Sequence, residues 1–565
     1  MPERVASLPA VFLAPGKKRL SVWAYIFLFF LCVAFYAPGF VSLPPTDRDE
    51  SSFAQSSKQM IESNNYVDIR IQEKPRYKKP IGIYWLQASS VKLLNPDHLK
   101  EIWAYRVPSF LGAATAVLMT AALGTFLFGP LAGILGAMMM AGCVVLNVEA
   151  RMAKTDAALL GCIMVMQYGL AKAYIKRKEK FATSLAFWTA LGLGVLIKGP
   201  IILLVLFSTL LWLWLQERKL KWFLTLRPAM GLPYALALII PWFTLMILGS
   251  QGQFVDQSIG HDFIAKIWNG EFRGIIPPGV HLLALPVVFA PFALFAFLAL
   301  PDIWRHRHEP AIRFCLGWII PAWIVFELSL TKLPHYVMPL YPAIAMLAAK
   351  FLSDGFPALT KNIKPWFPAL VMGLWLMICT GLLLALIYMP YALDQAWNAW
   401  QIGASALFFL SLNAALFFLM QRTPSRSVIA LTIGSLIFMG VTFGITLPRL
   451  QHIWLSKQVA HIAERTKPCE KPEIITATYD EPSLVFLAGT ETQFIASGAQ
   501  AAFAVWLNPC RMALIDGNHK QLFLDVFAKA RYKPIEVGHV EGLNTGRGRK
   551  VSLTLYTLPM EAKRQ

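Results

Sequence analysis

Residues 366–389 read WFPALVMGLWLMICTGLLLALIYM, a stretch without a single charged side chain. A run of this length matches the roughly 20 apolar residues that an α-helix needs to cross the hydrocarbon core of a bilayer. Comparable runs cover residues 25–41, 107–128, 201–215 and 230–248. The pattern predicts a polytopic α-helical membrane protein.

The composition agrees with this prediction. Hydrophobic residues make up 56% of the 565 positions and charged residues only 15%, whereas soluble domains contain about 25% charged residues. The net charge of +20 comes from short basic runs between the apolar spans, such as 218–221, 305–307 and 422–426. This distribution indicates membrane topology rather than a nucleic-acid partner.

The basic runs occur at alternate loops, so the positive-inside rule places those loops in the cytoplasm. Counting the spans then predicts about 13 transmembrane helices in the bacterial inner (plasma) membrane, with a periplasmic C-terminus. We expect a transmembrane domain at 1–447, including a periplasmic loop at 42–102, and a small soluble periplasmic α/β domain at 448–565.

Within the second domain, alternation and composition predict several elements. We expect strands at 473–478, 484–488, 503–507 and 551–557, and a helix at 520–529. Cys469 and Cys510 lie in this domain, where an oxidising compartment permits either a disulfide between them or two free thiols.

Acidic residues follow the first span directly. Asp47, Asp49 and Glu50 come after an apolar, proline-containing approach, and ionisable residues at the membrane face are functional candidates. Residues 51–62 then indicate an interfacial helix that would roof a cavity. For the three acidic residues, the alternative is an ordinary solvated start of the loop.

Basic residues follow in the same loop. Arg76, Lys78 and Lys79 precede Tyr84 and Trp85 at the edge of another apolar surface. Arginine suits forked contacts with phosphate oxygens, lysine acts as a point charge, and the aromatic rings suit headgroup depth. The segment therefore predicts a site for a lipid-linked phosphate, with general attraction to anionic headgroups as the alternative.

Three further positions bring polar groups to the same predicted face. Asp156 stands at a span boundary with Arg151 and Lys154 as candidate partners, in an arrangement that suits either catalysis or a structural ion pair. Lys198 and Lys332 interrupt apolar sequence without an acid nearby in the sequence, which favours an anionic ligand.

His335 and Tyr336 follow Lys332 closely. This pair would bind or orient a sugar or a phosphate, whereas the alternative is a histidine with a purely structural role. No nucleotide-binding loop, dinucleotide motif or spaced Cys/His zinc motif is present in the sequence. We therefore expect an activated substrate and no obligatory cofactor, with a divalent metal left open.

Five motifs in this order resemble the GT-C glycosyltransferases of the protein mannosyltransferase type, particularly the bacterial branch that includes the lipid A aminoarabinose transferase. They are Asp49-Glu50-Ser51-Ser52-Phe53-Ala54, which is similar to the family's Asp-Glu-x-Arg-Tyr-Ala, the segment 79–85, Asp156, the segment 198–200 and the segment 332–336. Ser52 replaces the family's arginine, and Lys78 stands where a glutamate is common, so a metal contact through that glutamate is not expected.

The resemblance implies transfer of a sugar from a polyprenyl-phosphate donor to lipid A or a related envelope glycolipid, with inversion at the anomeric carbon. It makes Asp49 the catalytic carboxylate and Asp156 a second essential acid. The implied substrate-binding residues are Glu50, Arg76, Lys79, Tyr84, Lys198, Lys332, His335 and Tyr336. Asp49 would be a general base towards a hydroxyl acceptor and only a positioning group towards a phosphate acceptor.

A flippase or transporter of lipid-linked saccharides is the main alternative, because a cationic cavity at the membrane face serves that function too. Transporters usually carry internal repeats, and this sequence shows none. A third class, a membrane-anchored recognition protein, would need far fewer spans than are predicted here.

Overall fold

The computed structural model describes residues 8–14, 19–177, 179–250, 252–256, 277–355 and 364–559. Within them, eight helices are long and apolar enough to cross a membrane: Trp103–Phe128, Asp156–Lys176, Phe181–Lys198, Pro228–Gly249, Pro310–Leu328, Trp366–Asp394, Ala399–Met420 and Pro424–Arg449. Shorter helices complete the bundle: Val22–Tyr36, Pro130–Gly142, Val144–Glu149, Ile201–Glu217, Val280–Val288, Ala293–Arg305 and Tyr341–Ser353. The chain is a polytopic helical membrane protein, as predicted, and the count of about 13 spans stays a prediction.

The helices differ in how much of their surface the protein covers. In the most apolar window of Trp366–Asp394 only 17% of residues are buried inside the protein, against 72% for Asp156–Lys176. A helix that is apolar all round and uncovered by protein needs lipid around it. Trp366–Asp394 therefore lies at the lipid-facing periphery, and Asp156–Lys176 lies at the centre of the bundle.

Small residues allow the central helices to approach closely. A Cβ on Gly112 would lie 2.4 Å from the carbonyl oxygen of Ala157, and one on Gly161 would lie 3.0 Å from the carbonyl oxygen of Gly112. Backbones can pack at such distances only where side chains are absent, as is common between membrane helices. This contact fixes the start of helix Asp156–Lys176, and with it Asp156, against helix Trp103–Phe128.

The loop after the first span is itself structured. Helix Asp49–Ser63 is followed by a two-stranded antiparallel ribbon, Arg70–Ile71 with Lys74–Pro75, and by helix Gly82–Leu94. The helix predicted at 51–62 is thus present. Most of its side chains are buried between the bundle and the C-terminal domain, however, so it does not lie on a lipid surface.

The C-terminal region contains a five-stranded mixed sheet with helices Leu455–Arg465, Pro482–Ala488, Gly498–Leu507 and Gly517–Lys529. The strand order is Gln493–Ile495, Glu473–Ala477, Arg511–Asp516, Arg549–Thr557 and Ile535–Asn544. The first three strands are parallel and the last two pair antiparallel. A disulfide joins Cys469 to Cys510, and the division at residue 447 stays a prediction.

Two of the predicted strands are wrong. Residues 484–488 belong to helix Pro482–Ala488, and residues 503–507 end helix Gly498–Leu507. Short apolar runs do not distinguish a strand from a buried helix. The missed signals are a proline at the first helical position of one segment and, in the other, Ser497, whose hydroxyl accepts the Gln500 amide proton at the start of the helix.

Helix Pro482–Ala488 docks the C-terminal domain on the first loop. Phe486 packs edge-to-face on Tyr105 at a ring distance of 5.4 Å, and Lys100 Nζ donates to the Ala488 carbonyl at 2.7 Å. The Ser483 hydroxyl donates to the Asp47 carboxylate. The domain therefore covers helix Asp49–Ser63 from outside the bundle.

Candidate active site

Asp49 is the first residue of helix Asp49–Ser63, and its side chain is exposed. The preceding residue, Arg48, has a φ of 64°, which turns the chain sharply into the helix. The Asp49 carboxylate lies close enough to Lys154 to help keep that lysine charged. The structure thus places an accessible carboxylate beside a buried ammonium group.

Glu50 has no exposed surface. Its Oε1 accepts from Arg106 Nε at 2.8 Å and from the Ala153 amide at 3.0 Å, and its Oε2 accepts from the Thr46 amide at 2.9 Å. Burial alone would raise the pKa of Glu50, but the Arg106 guanidinium and the amide donors outweigh it and lower that pKa. This geometry favours a supporting role over the substrate contact predicted from the sequence.

Sequence reasoning missed Arg106. It lies inside the apolar helix Trp103–Phe128 and is almost fully buried. Arg106 could have been singled out from the sequence as a lone cation within an apolar span, since such a cation needs a buried acid or carbonyl partner. Here it also holds the carbonyl groups of Phe40, Leu43 and Pro44, which ties the first loop to the bundle.

Asp156, Lys198, Lys154, Glu149 and His335 form one cluster. Lys198 Nζ donates to Asp156 Oδ1 at 2.5 Å, and Lys154 Nζ donates to Glu149 Oε1 at 3.0 Å. The two ring nitrogens of His335 lie 3.8 Å from Glu149 Oε1 and 3.9 Å from Asp156 Oδ1. Lys198 has no acid nearby in the sequence, but the fold supplies one, Asp156, from another helix.

Burial and neighbouring charges act in opposite directions on Lys154 and on His335. Burial alone would lower the pKa of Lys154, but Glu149 and Asp156 outweigh it and raise that pKa. Burial lowers the pKa of His335, and the two carboxylates do not fully offset this. At neutral pH the cluster thus contains a charged Lys154 and an uncharged His335 imidazole.

Arg151 is not the partner of Asp156 that the sequence suggested. Its Nε donates to the Pro38 carbonyl at 2.7 Å, and its other nitrogens bond the carbonyls of Phe35 and Asn147. Arg151 therefore secures the end of the first span. Of Arg151 and Lys154, it is Lys154 that faces Glu149 and Asp156.

Tyr336 borders the same cluster. The rings of Tyr336 and His335 pack edge-to-face at 5.2 Å, and Lys198 Nζ lies 5.6 Å from the Tyr336 ring centre. His335 and Tyr336 thus reach the cluster together. The Lys332 side chain is buried, with 7% of its surface exposed.

Arg76 and Tyr84 are buried inside the protein. Arg76 Nη1 donates to the Tyr84 hydroxyl at 2.6 Å, and its guanidinium stacks 4.5 Å from the Phe53 ring centre. Tyr84 has no exposed surface. Lys79, in contrast, is only half-buried, and its Nζ donates to the Lys78 carbonyl at 3.1 Å.

Helix Gly82–Leu94, which closely follows Lys79, packs against the end of helix Phe181–Lys198. A Cβ on Gly82 would lie 2.8 Å from the Leu196 carbonyl, and a Cβ on Gly199 would lie 4.0 Å from Pro80 Cγ. The two lysine-bearing segments are therefore neighbours in the fold.

We expect Gly82→Ala to destabilise the protein by about 1–3 kcal/mol, because the new methyl group meets backbone that cannot move aside. Since this contact also places Lys79, ligand binding should weaken in the same variant. Thermal unfolding in detergent measures the first effect. Gly373→Ala is the control, as a Cβ there meets nothing within 4 Å, and equal melting temperatures for the two variants would contradict the expectation.

Among the described residues, no three His, Cys, Asp or Glu side chains converge as a metal site.

Comparison with known proteins identifies related sequences. Residues 78–244 match the family model described as dolichyl-phosphate-mannose-protein mannosyltransferase. An uncharacterized protein of Aquifex aeolicus is 25% identical over 67% of this chain and 76% of its own length. An undecaprenyl phosphate-alpha-4-amino-4-deoxy-L-arabinose arabinosyl transferase of Pseudomonas fluorescens is 24% identical over 54% of this chain, and the match spans about half (55%) of that relative.

Among solved structures, ArnT of Cupriavidus metallidurans bound to undecaprenyl phosphate superposes with a TM-score of 0.71 at 17% identity, covering 94% of this chain and 98% of that one. The likeness at this identity concerns the fold. It extends over the bundle and the C-terminal domain together. The comparisons confirm the resemblance predicted from the motifs: the chain has the fold of the GT-C membrane glycosyltransferases and is similar to their bacterial aminoarabinose-transferase branch.

Proposed function

We propose that this protein transfers a sugar from a polyprenyl-phosphate-linked donor to lipid A or a related envelope glycolipid, at the outer face of the bacterial inner membrane. The observation that carries the proposal is one exposed carboxylate, Asp49, within electrostatic reach of Lys154, in a cluster that also contains Lys198. The Pseudomonas fluorescens relative, an undecaprenyl phosphate-alpha-4-amino-4-deoxy-L-arabinose arabinosyl transferase, supports the same class of reaction.

The proposed reaction is a direct displacement at the anomeric carbon. The acceptor oxygen forms the new bond as the bond from that carbon to the phosphate oxygen breaks, and the phosphate leaves with the electron pair. Asp49 takes the proton when the acceptor is a hydroxyl. When the acceptor is already an anionic phosphate, no proton has to move, and Asp49 only positions a substrate.

In this mechanism the lysines stabilise the departing phosphate. Lys79 is half-buried and sits on the segment that adjoins the end of helix Phe181–Lys198, which places it near Lys198. Lys198 contributes a second charge, and Asp156 orients it through the 2.5 Å contact. Attraction to the leaving group strengthens as water is excluded from the cavity.

We expect Lys79→Ala to reduce transfer by about two orders of magnitude or more, the loss typical of removing one group that stabilises developing charge. The assay follows radiolabelled sugar from polyprenyl-phosphate donors to envelope lipids with purified protein in detergent. Lys74→Ala, which removes an exposed lysine of the ribbon in the same loop, is the matched control and should transfer normally.

The same preparation separates the transferase from the flippase. In vesicles, movement of the donor lipid between leaflets without any transfer to an acceptor would replace the proposal with transport. Equal transfer by the Lys79 and Lys74 variants would remove Lys79 from the proposed site.

A further inference from the structure

Glu149 is a buried acid that takes no part in the proposed displacement. Only 3% of its surface is exposed, and its Oε2 has no hydrogen-bond partner within the described residues. Its Oε1 holds Lys154 at 3.0 Å and faces His335 Nδ1 at 3.8 Å. A buried carboxylate oxygen without a donor is costly, so this position calls for an explanation.

His335 lies between two carboxylates. Glu149 faces one ring nitrogen and Asp156 faces the other, at 3.8 and 3.9 Å. A neutral imidazole has a proton on only one nitrogen, so its other nitrogen presents a lone pair to a carboxylate. A protonated imidazole would donate towards both acids. The geometry therefore suits the charged histidine better than the neutral one.

Charged side chains on four of the described segments face His335. Glu149 ends helix Val144–Glu149, Lys154 lies in the connecting segment, Asp156 begins the next helix, and Lys198 ends helix Phe181–Lys198. These four side chains are two lysines and two acids. Burial favours the neutral imidazole, since the pKa of His335 lies below its ordinary value in the unliganded protein.

An arriving phosphate disturbs this balance. Each added negative charge that draws Lys198 or Lys154 towards itself leaves Asp156 or Glu149 less neutralised, and a nearby anion favours the charged form of a histidine. We propose that Glu149 and Asp156 make His335 a proton acceptor, so that binding of a polyprenyl phosphate takes up a proton from solvent. The inference rests on the proposed function for the identity of the ligand.

Glu149 is a positioning residue in this scheme, because it acts through His335 and not on the sugar. The proposal predicts a measurable number of protons taken up per ligand bound, in addition to a change in affinity. By linkage, a ligand that binds together with one proton loses up to about tenfold in affinity for each pH unit of rise. The slope is steepest where free His335 is neutral and bound His335 is charged.

The test uses methyl farnesyl phosphate, a diester whose single ionised oxygen keeps a constant charge near neutral pH. Titration calorimetry of the full-length protein, in two buffers of different protonation enthalpy, counts the protons taken up per ligand. We expect the native protein to approach one proton. His335→Gln should take up none while still binding, and Glu149→Gln should take up clearly less.

Glu73→Gln, which removes an exposed carboxylate of the first loop, should take up as many protons per ligand as the native protein. His335 is partly exposed, so its replacement keeps the test decisive if the Glu149 variant does not fold. Binding without proton uptake, an unchanged count in Glu149→Gln, or no binding of the diester would each overturn the inference.

The outcome is separable from that of the proposed function. Sugar transfer with no proton uptake would leave the transferase in place and remove this role of Glu149 and His335. Proton uptake as expected without any transfer would leave the inference standing and remove the transferase.

Discussion

Sugar transfer to a hydroxyl acceptor should fall by about two to four orders of magnitude in Asp49→Asn, the contribution usual for a general base. The amide keeps the size and the hydrogen-bonding reach of the carboxylate but does not accept a proton at neutral pH. Because Asp49 is exposed at the start of its helix, the substitution should leave the melting temperature nearly unchanged. The loss would therefore be chemical and not structural.

Binding provides the internal check on this expectation. The lysines proposed to bind phosphate are untouched, so the dissociation constant for a polyprenyl phosphate should change little while kcat falls. Asp97→Asn, an exposed acid in the same loop, is the matched control and should transfer at the native rate. If Asp49→Asn keeps the native kcat with a hydroxyl acceptor, Asp49 is not the general base.

The acceptor class can be read from the same variant. An acceptor phosphate needs no deprotonation, so its transfer should suffer much less from the amide than transfer to a hydroxyl does. A large loss with both acceptors would mean that Asp49 also holds the substrate in place. The ratio of the two losses therefore measures the proton transfer itself.

The sequence predicted the bundle well, because lipid imposes length and composition on every span. The run at 366–389 lies within helix Trp366–Asp394, and the alternation at 473–478 and 551–557 corresponds to observed strands. The two misassigned strands share a cause. Their apolar runs were too short to show a period, and tertiary packing decided their conformation.

Candidate site residues could be selected where they are local in the chain, and their roles stay predictions. The loop 332–336 and the acid of helix Asp49–Ser63 could be found from charge that interrupts apolar sequence. Pairings between distant segments could not, since nothing in the sequence places Asp156 against Lys198 or Glu149 against His335. For the same reason Glu50 was expected to meet substrate, although it is enclosed by Arg106.

The pair formed by Glu50 and Arg106 should carry the largest stability effect of any position described. Both side chains are almost wholly buried, and removing one partner of such a pair leaves an uncompensated charge, at a cost of about 3–5 kcal/mol. We expect Arg106→Leu to lower the melting temperature in detergent sharply. Arg106→Lys should restore only part of the loss, because an ammonium group does not reproduce the fork that also holds three carbonyls.

A double variant separates charge from packing. In Arg106→Leu with Glu50→Gln the acid is neutral, so part of the loss should be recovered even though the fork is gone. A double variant no more stable than Arg106→Leu would contradict the role of the buried charge. Glu50 also accepts the amide of Ala153 beside Lys154, so this pair joins the Asp49 helix to the lysine cluster. Transfer by Arg106→Leu should therefore fall even at temperatures where the variant remains folded.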